Sequence, residues 1–139
     1  MKITLNRIDD AYHMKAVNED GCSLETDGAP NIGGGNKGMR PMQLLLAAAG
    51  SCSSIDVISI LKKMKQDIKD LQVDVSGDRV ADQVPSLFTS MHIHFRITGD
   101  LEEEKVGRAI DLSMTKYCSV VKTLEKTATI TSSYEIIDK

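Results

Sequence analysis

Three cysteines and three histidines are the side chains of this 139-residue chain best suited to nucleophilic or metal chemistry. A thiol acts as a nucleophile only as the thiolate, which requires access and a pKa drawn down by its surroundings. Cys52 stands in the run Ala47-Ala48-Ala49-Gly50-Ser51-Cys52-Ser53-Ser54. A cysteine among such small residues reads by default as a small core hydrophobe. Cys118 stands in Thr115-Lys116-Tyr117-Cys118-Ser119-Val120. There, Lys116 and the start of a following helical turn are placed to lower its pKa. Cys22 lies beside a turn and reads as free and structural. His92 and His94 share the polar face of one strand and His13 lies on another. Two histidines at i, i+2 can hold a metal, but no carboxylate or cysteine converges with them in sequence, so they read as a solvated sheet face.

The elements that must position these residues follow from periodicity and punctuation. Residues 2–6, about 12–18 and 22–26 read as short strands, with Asn18-Glu19-Asp20-Gly21 as a turn between the last two. Gly28 to Gly38 is a glycine-rich loop. It lacks the spacing of a phosphate-binding P-loop and reads as a mobile segment before a helix. Pro41 suits the first turn of that helix, and Gln43 can reach back to cap its start. The helix runs to about Lys65. Residues 71–80 and 87–98 alternate as strands, with Met91, Ile93, Phe95 and Ile97 on one side of the second. Asp100 and Glu102 to Glu104 open a second helix, where acidic groups favour the positive end of its dipole. Val106, Ala109, Ile110, Ser113, Met114 and Tyr117 form its apolar side. Ser119 caps a short further turn, and residues 127–137 form a last β-branched strand. The order β-β-β-α-β-β-α-(α)-β predicts an α+β fold in a single domain over residues 1–139.

Composition narrows the function. A net charge of −3 lacks the basic footprint of nucleic-acid binding. No secretory leader is visible, and three widely spaced cysteines make no disulfide framework. Both point to the reducing cytoplasm. Leu44 to Leu61 is apolar but short of a bilayer span, interrupted by Asp56 and serines and followed by Lys62, Lys63 and Lys65; a core helix is expected, not a membrane segment. So long an apolar helix outgrows what one small sheet can cover, which predicts a second subunit against it.

The run Gly38-Met39-Arg40-Pro41-Met42-Gln43-Leu44-Leu45-Leu46-Ala47-Ala48-Ala49-Gly50-Ser51-Cys52, with its cysteine eleven residues after the proline, resembles the first motif of the OsmC/Ohr family. Tyr117-Cys118 with Val120 resembles the second. The element order agrees, and the resemblance spans essentially the whole chain. It implies an OsmC-like fold with a long central helix and an intertwined homodimer with its active sites at the interface. It also implies a chemistry: Cys52 attacks the peroxide bond of an organic hydroperoxide and becomes a sulfenic acid, and Cys118 condenses with it. A dithiol reductant, typically dihydrolipoyl groups, restores the pair. No metal and no organic cofactor is required.

The chain departs from the peroxidase pattern at informative positions. The family's glutamate before the first cysteine falls at Met42. In the less characterised YhfA-like branch, the nearest in pattern, it falls one residue later, here Gln43. No carboxylate stands at either position, and Arg40 does not match the family's arginine position. Ser119 replaces a proline. Asp56, one turn after Cys52, resembles the aspartate of the YhfA-like branch, and a carboxylate near a thiol opposes its ionisation. The expected site is therefore Cys52 and Cys118, with Arg40, Gln43 and Asp56 in possible support. Two functions compete: a peroxidase for organic hydroperoxides, and a dimeric module binding a small apolar or acyl ligand.

Overall fold

The two alternating stretches 71–80 and 87–98 pair with each other in the computed structural model, which describes residues 1–137. Two compact units are resolved, Met1–Leu45 and the chain from Leu46 onward. In the first, β1 (Ile3–Arg7), β2 (Met14–Asn18) and β3 (Ser23–Thr26) form an antiparallel meander. The glycine-rich loop after β3 is not a mobile tether but is folded around a buried carboxylate. Asp27 accepts the N–H groups of Gly28 (2.7 Å), Gly35 (2.9 Å) and Lys37 (3.0 Å). Gly34 is obligatory there, because a Cβ would lie 1.9 Å from the Gly28 carbonyl oxygen.

Helix α1 (Pro41–Lys63) begins as its sequence requires. Proline occupies the first helical position, and the Gln43 side chain accepts the Arg40 N–H at 2.9 Å. It ends in a Schellman motif: the Gln66 N–H bonds the Leu61 carbonyl (3.0 Å) and the Lys65 N–H bonds that of Lys62 (3.0 Å). Lys65 takes the left-handed conformation, φ 59°, that glycine usually supplies. At 23 residues α1 is long and apolar enough to cross a bilayer by length and composition, longer than the span 44–61 marked in the sequence. One face packs on protein: Ala49, Gly50, Ser53, Val57 and Leu61 are buried, while Ile55 remains 63% exposed.

In the second unit, β4 (Asp67–Arg79) pairs antiparallel with β5 (Phe88–Asp100), and β5 pairs in parallel with β6 (Thr129–Ile137). Parallel neighbours need a crossover. Here it is α2 (Glu103–Leu112), a π turn (Ser113–Tyr117) and α3 (Ser119–Leu124). Met91, Ile93, Phe95 and Ile97 are buried, as alternation predicts, and the last three pack with Val57, Leu61, Val106, Ala109 and Val121. Strand β4 starts four residues before the predicted 71, and Asp100 closes β5 instead of opening α2. Polar Lys69 and Asp70 hid the apolar alternation at that end. The element order is that of the predicted α+β fold.

Candidate functional site

Helix α1 carries Cys52 and Asp56 four residues apart, hence on one face. Both are half-buried. The serines around them are occupied within the helix: Ser53 Oγ donates to the Ala49 carbonyl at 2.8 Å, and Ser54 Oγ to that of Gly50 at 2.6 Å. Serine hydroxyls bonded back to the preceding turn compete little for outside partners.

Cys118 arrives from the crossover. The π turn bonds the Cys118 N–H to the Ser113 carbonyl five residues back, at 2.9 Å. Such insertions recur at functional sites because they re-aim the residues that follow. Cys118 then leaves helical geometry and caps α3, its Sγ accepting the Val121 N–H at 3.4 Å. The same turn buries Ser113, whose hydroxyl donates to Asp56 Oδ2 at 3.1 Å.

The sulfurs of Cys52 and Cys118 and a carboxylate oxygen of Asp56 all lie within 4.8 Å of one another. No disulfide joins the cysteines. The two thiols differ in environment, Cys52 being half-buried and Cys118 fully buried. Burial pushes the Cys118 thiol up to about 11, and the neighbouring Cys52 thiol adds to the rise; the Val121 and Val120 N–H groups pull the other way and are outweighed. This corrects the expectation that Lys116 and the helix start lower that pKa. The Lys116 ammonium lies over the Tyr117 ring, 5.3 Å from its centroid. Desolvation of the anion in a fully buried position exceeds what two amide donors return. Beside the cluster a cleft of about 330 Å³ is lined by Asp56, Ser59, Ile60, Lys63, Met64, Leu112 and Tyr117.

The other sequence candidates have separate engagements. The Arg40 guanidinium donates to Asn36 Oδ1 (2.7 Å) and to the Gly38 carbonyl (3.3 Å), and Gln43 caps α1. Among the described residues of the second unit, no guanidinium bonds to Cys52. Arg79 donates to the Ser86 carbonyl, Arg96 is held by Asp74 and Glu135, and Arg108 is exposed. His92 and His94 are half-buried and not simply solvated: they bond the hydroxyls of Thr131 and Ser133 on β6 at 2.7–2.8 Å. His13 is buried against Glu25 at 2.8 Å, and Cys22 is exposed and free. Sequence reasoning missed Ser113 as the partner of Asp56. It read as one more residue of the apolar side of α2, and no local signal marks a π turn.

Comparison with known proteins follows the same lines. A sequence model described as OsmC-like protein matches residues 34–133. Protein YhfA of Escherichia coli (strain K12) is 49% identical over 104 residues, covering 74% of this chain and 77% of that protein. The crystal structure of a hypothetical protein from Aquifex aeolicus VF5 superposes with a TM-score of 0.85 at 30% identity, covering 99% of this chain and 96% of that one. The organic hydroperoxide resistance protein OhrB of Bacillus subtilis shares the fold with a TM-score of 0.65 at 19% identity, over 96% of each chain.

Proposed function

The chain belongs to the OsmC-like family, and from that premise we propose that it is a thiol-dependent peroxidase that reduces organic hydroperoxides through a Cys52/Cys118 cycle. The observation that carries this reading is the approach of the two sulfurs to within 4.8 Å, with one thiol half-buried and the other fully buried. Cys52, the accessible one, is the nucleophile. Its thiolate attacks the outer peroxide oxygen, the O–O bond breaks, and the leaving alkoxide takes a proton to become an alcohol. The thiol is oxidised to a sulfenic acid and the peroxide is reduced. Cys118 then attacks the sulfenic sulfur and expels water, and the sulfurs close to the ~2.05 Å of a disulfide. A dithiol reductant returns two electrons by exchange.

The same reading makes residues 1–139 one OsmC-like domain acting as a cytoplasmic homodimer, with no nucleic-acid or membrane partner. Ile55, a large apolar side chain left 63% exposed on α1, supports the dimer. A second reading, a module that binds a small apolar or acyl ligand, is favoured by one feature, the partly apolar cleft beside Asp56. The lower end of ligand-site volumes is about 300 Å³. The chemistry decides between them. With Asp56 beside the thiols and no carboxylate at Met42 or Gln43, oxidation by tert-butyl hydroperoxide in stopped flow is expected to be slow but faster than that of a free thiol. Cys52→Ser abolishes it, and Cys118→Ser allows one oxidation without turnover. Equal, slow reaction of wild type and Cys52→Ser rejects the peroxidase and leaves the binding module.

A further inference from the structure

We propose that the reduced Cys52, Cys118 and Asp56 side chains together bind one thiophilic divalent cation of the zinc class. The inference uses the same thiols as the proposed peroxidase but does not depend on peroxide chemistry. It starts from placement: two Sγ atoms and a carboxylate oxygen lie mutually within 4.8 Å. Tetrahedral zinc, with bonds of ~2.3 Å to sulfur and ~2.0 Å to oxygen, spaces its ligand atoms roughly 3.5–3.8 Å apart. Small side-chain rotations close the remaining gap.

Sequence spacing favours it too. Cys52 and Asp56 sit at i, i+4 on one helix face, the spacing by which a single helix offers two ligands to one ion. Cys118 supplies the third from a different element, so the chelate is fixed by the fold and not by one flexible segment. Supporting bonds are already in place. Ser113 Oγ holds Asp56 Oδ2 at 3.1 Å, and the Val121 N–H points at Cys118 Sγ at 3.4 Å. Such outer contacts orient ligands, and losing one typically costs roughly 10–100-fold in affinity. Three protein ligands leave a fourth position for water, the pattern of an open zinc site. Asp56 also lines the cleft of about 330 Å³, which supplies both that water and an entry path.

Electrostatics gives the arrangement a purpose. No guanidinium among the described residues of this unit bonds to Cys52. A bound divalent cation supplies positive charge there, its two thiol ligands giving up their protons to solvent and leaving two thiolates and one carboxylate around a charge of +2. No electrons move. Metal and disulfide are then mutually exclusive states of the same pair.

The test is anaerobic titration of the fully reduced chain with Co²⁺, followed by Zn²⁺. The expected result is a thiolate-to-cobalt charge-transfer band that saturates at one ion per chain and is bleached by Zn²⁺. Cys22→Ser keeps the band. Cys118→Ser loses the two-thiolate intensity, and Asp56→Asn weakens Zn²⁺ at least tenfold. On the unmutated protein, Zn²⁺ protects the half-buried Cys52 but not the exposed Cys22 from alkylation, read by peptide mass mapping, so the answer survives a variant that fails to fold. No thiolate band in wild type, protection centred on Cys22, or full affinity in a folded Asp56→Asn overturns the inference. A band without peroxide reduction retains the metal site and removes the peroxidase; peroxide turnover without a band does the reverse.

Discussion

Gly50→Ala probes the packing that sets Cys52 against Cys118. Gly50 is buried in the middle of α1, two residues before Cys52. An alanine there restores helix propensity worth about 1 kcal/mol. The gain meets a steric cost, because the new Cβ would stand 2.7 Å from Val75 Cγ2 on β4. A valine methyl sits on a stiff, β-branched side chain and cannot swing aside as the end of a lysine can. Inserting a methyl into a packed contact costs roughly 1–3 kcal/mol. The net expectation is a loss of about 1 kcal/mol, near 3 °C in Tm for a chain of this size.

The partner substitution isolates the cause. In a Val75→Ala background the next neighbour is Val73 Cγ1 at 3.7 Å, ordinary contact. There Gly50→Ala should stabilise by its full propensity gain of about 1 kcal/mol. Urea unfolding followed by circular dichroism, at one protein concentration for all four proteins of the cycle, should give a coupling of about 2 kcal/mol. Lifting α1 from β4 also moves Cys52, so Gly50→Ala should slow Cys52–Cys118 disulfide formation under mild oxidation. If Gly50→Ala alone stabilises the chain, or has the same effect with and without Val75, the close approach is not what fixes the helix.

Two further outcomes are expected. Asp9 is held down to about 2, first by its hydrogen bond from Lys37, and Asp27 is lowered by the N–H groups it accepts, Lys37 first. A carboxylate whose folded-state pKa lies below the ordinary 3.8 contributes stability that is complete above that value and is lost as pH falls through the lowered one, which for Asp9 is about 2. Pepsin cleavage within residues 28–38 should therefore rise across that window, and Asp27→Asn should open the loop already at higher pH; unchanged cleavage in both would refute the carboxylate-centred loop. Sedimentation at micromolar concentration should show a dimer, and Ile55→Glu, on the exposed face of α1, should shift it toward monomer or unfold it; a folded wild-type monomer ends the dimer reading.

What the residues disclosed, and what they hid, divides along one physical line. Periodicity and punctuation are local, so Pro41, Gln43 and the alternation from Met91 to Ile97 mark their elements correctly, and the motif spacing from Pro41 to Cys52 marks the family. The end of α1 was blurred because Lys65 does a glycine's work in left-handed geometry, which no residue-type rule announces. Asp27 was hidden because a carboxylate before a glycine-rich run looks like any solvated turn residue until the N–H groups of residues 28, 35 and 37 converge on it. Cys118 is the sharpest case. Its neighbours in sequence, Lys116 and a helix start, argue for a lowered pKa, whereas its neighbours in space are core, and burial raises it. The π turn is what separates the two answers. It inserts one residue into the crossover, turns Ser113 toward Asp56, and leaves Lys116 over the Tyr117 ring. A local pattern can nominate a reactive cysteine, but desolvation decides its ionisation, and desolvation is set by long-range packing.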